Sequence, residues 1–71
     1  MQTVNLIEYA DGTVIGVRSF EETKEGNREA EKVFRAIVKE NSDCSEEDVE
    51  ASLDNGYFEE GSYQLFITHS S

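Results

Sequence analysis

Residues 27–41 read NREAEKVFRAIVKEN, with apolar side chains at Ala30, Val33, Phe34, Ile37 and Val38. This i, i+3, i+4, i+7, i+8 spacing puts all five on one stripe of a helix, and no other segment has so clear a period. Asn27 is a suitable N-cap, because its short side chain can accept a hydrogen bond from a free first-turn N–H. Glu31 and Arg35 stand one turn apart as a favourable pair on the solvent side. The helix is expected to end near Asn41-Ser42-Asp43. The remaining apolar segments are short, and so read as strands that pack against this stripe.

Upstream, TVNLIEY (3–9) and TVIGVRSF (13–20) are rich in β-branched and aromatic residues and flank Ala10-Asp11-Gly12. Asp-Gly between two such runs signals a hairpin, since a type I′ turn needs positive φ at both central residues. A two-residue Asp11-Gly12 turn pairs Leu6 with Val17, Val4 with Ser19 and Glu8 with Ile15. Val4, Leu6, Ile15 and Val17 are then expected on the core face, with Asn5, Ile7, Tyr9, Val14, Arg18 and Phe20 on the other. A one-residue change in loop length would scramble these faces. EETKEG (21–26) is polar, ends in glycine and reads as a loop.

Downstream, CSEEDV (44–49) announces a second helix. Ser45 is the expected N-cap, and three acids in the first turn complement the positive helix end. Cys44 and Val49 are placed to form a hydrophobic staple, which gives the cysteine a packing role. Val49 and Leu53 face inward one turn apart, and Asn55-Gly56 ends the helix. Residues 57–59 and 62–68 form a second hairpin about Glu60-Gly61. Tyr63, Leu65 and Ile67 are expected to face the helices, and Gln64, Phe66 and Thr68 to face away. His69-Ser70-Ser71 reads as a terminal tail. The order β-β-α-α-β-β over residues 1–71 implies one small α+β domain. The simplest form is a two-layer sandwich, a four-stranded antiparallel sheet with two helices on one face.

Charge separates the two halves of the chain. Sixteen Asp and Glu against six Lys and Arg give a net charge of −10. Through Lys39 the six basic residues meet seven acids, for a net of −1; from Glu40 onward nine acids stand with no base, for −9. Such a field repels phosphate backbones and anionic membranes and favours basic partners. Direct nucleic-acid or membrane binding is not expected. The first residues lack a basic, apolar leader pattern, and no apolar stretch nears the ~20 residues of a membrane span. With a single cysteine, these features lead to the expectation of a cytoplasmic protein.

The residues that chemistry needs are scarce. A Ser-His-acid set requires a histidine, and His69 stands three residues from the end. Zinc ligation is short of donors with one Cys and one His. A calcium loop beginning at Asp43 has Asp48 where glycine is required, and one beginning at Asp54 has Gly56 and Phe58 in place of ligands. The glycines are scattered among turns and caps instead of forming a phosphate cradle. No catalytic residue, metal or cofactor is therefore expected, and the chain is not read as an enzyme.

Two surface readings follow. The sheet face away from the helices is expected to carry Ile7, Tyr9, Val14, Phe20 and Phe66, an apolar patch suited to docking another protein or to homodimerisation. The alternative is an acidic surface of Asp43, Glu46, Glu47, Asp48, Glu50, Asp54, Glu59 and Glu60. It would mimic nucleic-acid phosphates and inhibit a basic protein by occupying its binding site.

Overall fold

The computed structural model describes residues 2–70. Strands β1 (Thr3–Ala10) and β2 (Thr13–Glu21) are followed by helices α1 (Lys24–Asn41) and α2 (Glu46–Asn55), then strands β3 (Tyr57–Glu60) and β4 (Tyr63–Ser70). The strands form one antiparallel sheet in the order β2-β1-β4-β3, so the first and last strands lie at its centre. Both helices cover one face, α1 over β1 and β2 and α2 against β3. The α+β sandwich is as the sequence implies.

The helical stripe forms the centre of the core. Ala30, Phe34, Ile37 and Val38 are buried beneath α1, and Val33 packs at the margin. Leu6 from β1, Leu65 from β4, Phe58 from β3 and Val49 from α2 complete the cluster. Tyr63 and Ile67 pack against it, as the alternation of the last strand requires, and so do Cys44 and Leu53.

Four local expectations are corrected. First, α1 begins at Lys24, within the segment read as a loop, and its N-cap is Thr23 instead of Asn27. The Thr23 hydroxyl accepts from the Gly26 N–H at 3.0 Å. Gly26 therefore sits inside the helix, where it opens space: a Cβ there would lie 1.8 Å from the Glu21 carbonyl oxygen. Glycine lets the strand-to-helix joint close up, which is why a residue normally read as a breaker occurs here.

Second, the β1–β2 register shifts. Asp11 and Gly12 have φ of +54° and +79° and form the expected two-residue turn, with Ala10 opposite Thr13 and Tyr9 opposite Val14. The next pair is Glu8 with Gly16, which leaves Ile15 as an extra residue in a β-bulge. Beyond it Leu6 pairs with Arg18 and Val4 with Phe20. Side chains alternate strictly along a strand, so one inserted residue exchanges the faces of β2. Phe20 moves to the core side and packs against the core, whereas Val17 moves outward.

Third, Glu60 pairs with Tyr63, so the second hairpin turns on Gly61-Ser62 instead of Glu60-Gly61. Gly61 takes the positive φ, +60°, and the Asp11 N–H donates to the Ser62 carbonyl at 3.1 Å, tying the two turns together. Fourth, His69 and Ser70 are the end of β4, paired with Val4 and Thr3; Ser71, the last residue of the expected tail, lies outside the described residues.

The second helix follows its sequence signals. Ser45 accepts from the Asp48 N–H, and Gly56 closes the C-terminus with φ +71°. The Gly56 carbonyl then accepts from the Ile67 N–H at 2.9 Å and joins the helix end to β4.

Candidate interaction surface

The sheet face opposite the helices is built by cross-strand register. Tyr57 on β3, Phe66 on β4, Ile7 on β1 and Val17 on β2 are successive partners, so four apolar side chains form one row across all four strands. Tyr9 and Val14 stand in the next row, opposite each other and beside Gln64. The rings pack on one another: Tyr9 and Phe66 meet edge to face at 5.4 Å between centroids, and Tyr57 and Phe66 are tilted at 4.8 Å. Such contacts between neighbouring rings stabilise the patch and fix its shape.

This row is uncovered. Val17 is 58 % exposed, Val14 48 % and Tyr57 36 %, and the bulge residue Ile15 is 58 % exposed. Ile7, Tyr9 and Phe66 are half-buried, each shielded mainly by its neighbours in the sheet. Of the expected patch, the structure brings together Ile7, Tyr9, Val14 and Phe66. Phe20 is absent from it for the register reason above. Val17 and Tyr57 are members that sequence reasoning missed. The glycine at position 16 was the available signal for the bulge, since glycine inside a strand often marks one.

Several polar side chains at the margin of the face bond one another. Ser19 Oγ donates to Asn5 Oδ1 at 2.7 Å, and Asn5 Nδ2 donates to Ser70 Oγ at 2.9 Å. On the edge strand Gln64 Nε2 donates to Glu59 Oε2 at 2.9 Å. Charge on the outward positions is confined to Glu59 and Glu21, both on edge strands.

The eight acids of the candidate acidic surface are all exposed. Glu46 and Glu50 are nevertheless engaged by the basic face of α1. Arg35 donates to both oxygens of Glu50, at 2.6 and 2.9 Å, with Glu31 at 3.5 Å, and Lys39 Nζ lies 2.6 Å from Glu46. The paired guanidinium holds the Glu50 carboxyl below its ordinary range. The rest of the set divides between surfaces. Glu47, Asp48 and Asp54 lie on α2 and Asp43 in the loop before it. Glu59 takes an outward position on β3 and Glu60 an inward one.

On the helix side, an open cleft of about 540 Å³ lies between the two helices and the ends of β1 and β4. Its cation is Arg35, already saturated by carboxylates, with His69 on the rim. His69 Nδ1 is 2.5 Å from Glu22 and the side chain is largely exposed, so it is tethered at the surface. At the other end of the inner face, the Tyr63 hydroxyl donates to Glu8 Oε1 at 2.7 Å. Partial burial and the adjacent carboxylate push the Tyr63 phenol well above its ordinary pKa. Gly16 leaves room for that carboxylate, since a Cβ there would stand 2.7 Å from Glu8 Oε2. Among the described residues no cluster of three His, Cys, Asp or Glu side chains is arranged to hold a metal. Among the described residues no helix is long and apolar enough to cross a membrane.

Comparison with protein-family models, with curated proteins and with solved structures finds no match for this chain.

Proposed function

We propose that this chain is a non-enzymatic protein-interaction module that docks through the uncovered sheet face. One observation carries the reading: the row Tyr57–Phe66–Ile7–Val17 runs the full width of the sheet, and none of the described residues forms a layer over it. An antiparallel sheet with one wet face normally alternates apolar inward with polar outward. Here the middle of the outward face is apolar while charge is placed elsewhere, which is the composition of an interface centre.

The acidic-mimic reading receives less support. Phosphate mimicry needs a continuous stripe of free carboxylates, whereas these acids divide between both faces of the sandwich and two of them are paired with α1. Affinity capture from the source cell's extract separates the two readings. Docking through the sheet face persists in 0.5 M salt and is abolished by Val17→Lys. Mimicry weakens steeply with salt and responds to Glu47→Gln with Asp48→Asn instead. A capture that ignores Val17→Lys and collapses in salt would reverse the assignment.

A further inference from the structure

Resting on the docking reading, we infer that the occupant of the uncovered face is a second copy of this chain, forming a two-fold, four-layer helix–sheet–sheet–helix sandwich. Charge limits what can sit there. The chain has a net charge of −10, yet the outward sheet positions hold just two charged groups, both on edge strands. A partner recognised by its basicity would find few carboxylates on this face. A second copy presents the same uncharged row, and both sets of helices, with most of the acids, stay on the far sides of the assembly.

Geometry supports self-complementarity. A two-fold axis parallel to the strands and between β1 and β4 lays the row Tyr57–Phe66–Ile7–Val17 over its own reverse. Val17 of each copy then meets Tyr57 of the other, and Ile7 meets Phe66. Small aliphatic side chains thus oppose large aromatic ones, which is how facing sheets fill a layer about 10 Å thick. The interface is isologous, so it closes at two copies. At the margin Ser19, Asn5 and Ser70 already bond one another, so these polar groups enter the interface partly satisfied.

The available area is near the minimum for a specific interface. Strand spacing and rise give the sheet a flat projection of about 450 Å² per copy, and protruding side chains raise the accessible area above that. Two copies together therefore reach the ~1,000 Å² needed for a specific interface without greatly exceeding it. The expected dimer is reversible and of micromolar affinity. Salt should strengthen it, because screening relieves the repulsion between two acidic subunits while apolar burial is retained.

Sedimentation equilibrium across about 1–500 µM protein tests this. Twice the 8.0 kDa chain mass is expected at high concentration, with tighter association at 0.5 M than at 0.05 M salt. Val17 is exposed in the single chain, so Val17→Lys should fold normally by circular dichroism and weaken the dimer by at least about 30-fold, because it sets a charge against Tyr57 of the other copy in an apolar layer. Glu47→Lys, on α2, should not weaken it. A monomer at every concentration would overturn the self-association. If Val17→Lys then still abolished capture of a different protein, docking through the face would stand with another occupant. If that capture were also unchanged, both conclusions would fall. A dimer insensitive to Val17→Lys would overturn the assignment of the face.

Discussion

Replacing Gly26 by alanine should destabilise the protein although it improves helix propensity. Within a helix, Gly→Ala ordinarily stabilises by up to ~1 kcal/mol, by restricting the unfolded chain and favouring the helical backbone. Gly26 lies in the first turn of α1 with no left-handed backbone to protect, so propensity alone predicts a gain. The tertiary structure reverses the sign. An added Cβ would stand 1.8 Å from the Glu21 carbonyl oxygen and 2.8 Å from its carbon, and reaching the 3.4 Å of ordinary contact requires an opening of about 1.6 Å. Both atoms belong to the backbone and cannot swing aside. The Glu21 carbonyl also accepts the Thr23 N–H at 2.9 Å, and Thr23 caps the helix through the Gly26 N–H itself. Opening the joint therefore strains or breaks the cap. Overpacking of this kind costs ~1–3 kcal/mol and a lost cap about 1 more. Set against the propensity gain, the net is a loss of about 1–3 kcal/mol. For a domain this small, about 4–8 °C of Tm accompanies each kcal/mol. Urea unfolding followed by far-ultraviolet circular dichroism would measure it, with Asn27→Ala as a control that should change stability by less than ~0.5 kcal/mol. A Gly26→Ala variant as stable as the parent, or more so, would refute the close approach of β2 to α1.

Other substitutions test the remaining parts of the fold. Phe34 is fully buried at the centre of the core, so Phe34→Ala should cost about 3–5 kcal/mol and leave most of the chain unfolded at 37 °C by circular dichroism. The Glu50 carboxyl, lowered chiefly by its hydrogen bonds from Arg35, contributes stability that is complete above its unfolded pKa near 4.5 and is lost as pH falls through the lower folded value. Stability measured from pH 7 down to pH 2 should therefore fall less steeply in Glu50→Gln than in the parent. Tyr63 has the opposite sign: its folded pKa is raised, so its contribution is complete below the unfolded value near 10 and is lost as pH rises beyond it. Urea midpoints taken between pH 9 and pH 11 should decline more steeply for the parent than for Tyr63→Phe.

Features that depend on local periodicity and local backbone chemistry are legible in the residues alone. The stripe from Ala30 to Val38 faces the core because 3.6-residue geometry leaves no other helical arrangement of those side chains. Asp11-Gly12 turns the first hairpin because both residues tolerate positive φ, and Tyr63, Leu65 and Ile67 face inward by simple alternation. Strand order, the face shown by β2 and the entry to α1 were decided by tertiary structure. A bulge depends on pairing between strands, and one extra residue at Ile15 was enough to bury Phe20 and expose Val17. Gly26 reads as a helix breaker until the Glu21 carbonyl is seen against it, and His69 reads as a tail until Val4 is found beside it. The candidate surface was legible to the same extent. Ile7, Tyr9, Val14 and Phe66 follow from alternation in strands whose direction the turns set, whereas Val17 and Tyr57 complete the row through contacts between strands, which no local pattern encodes.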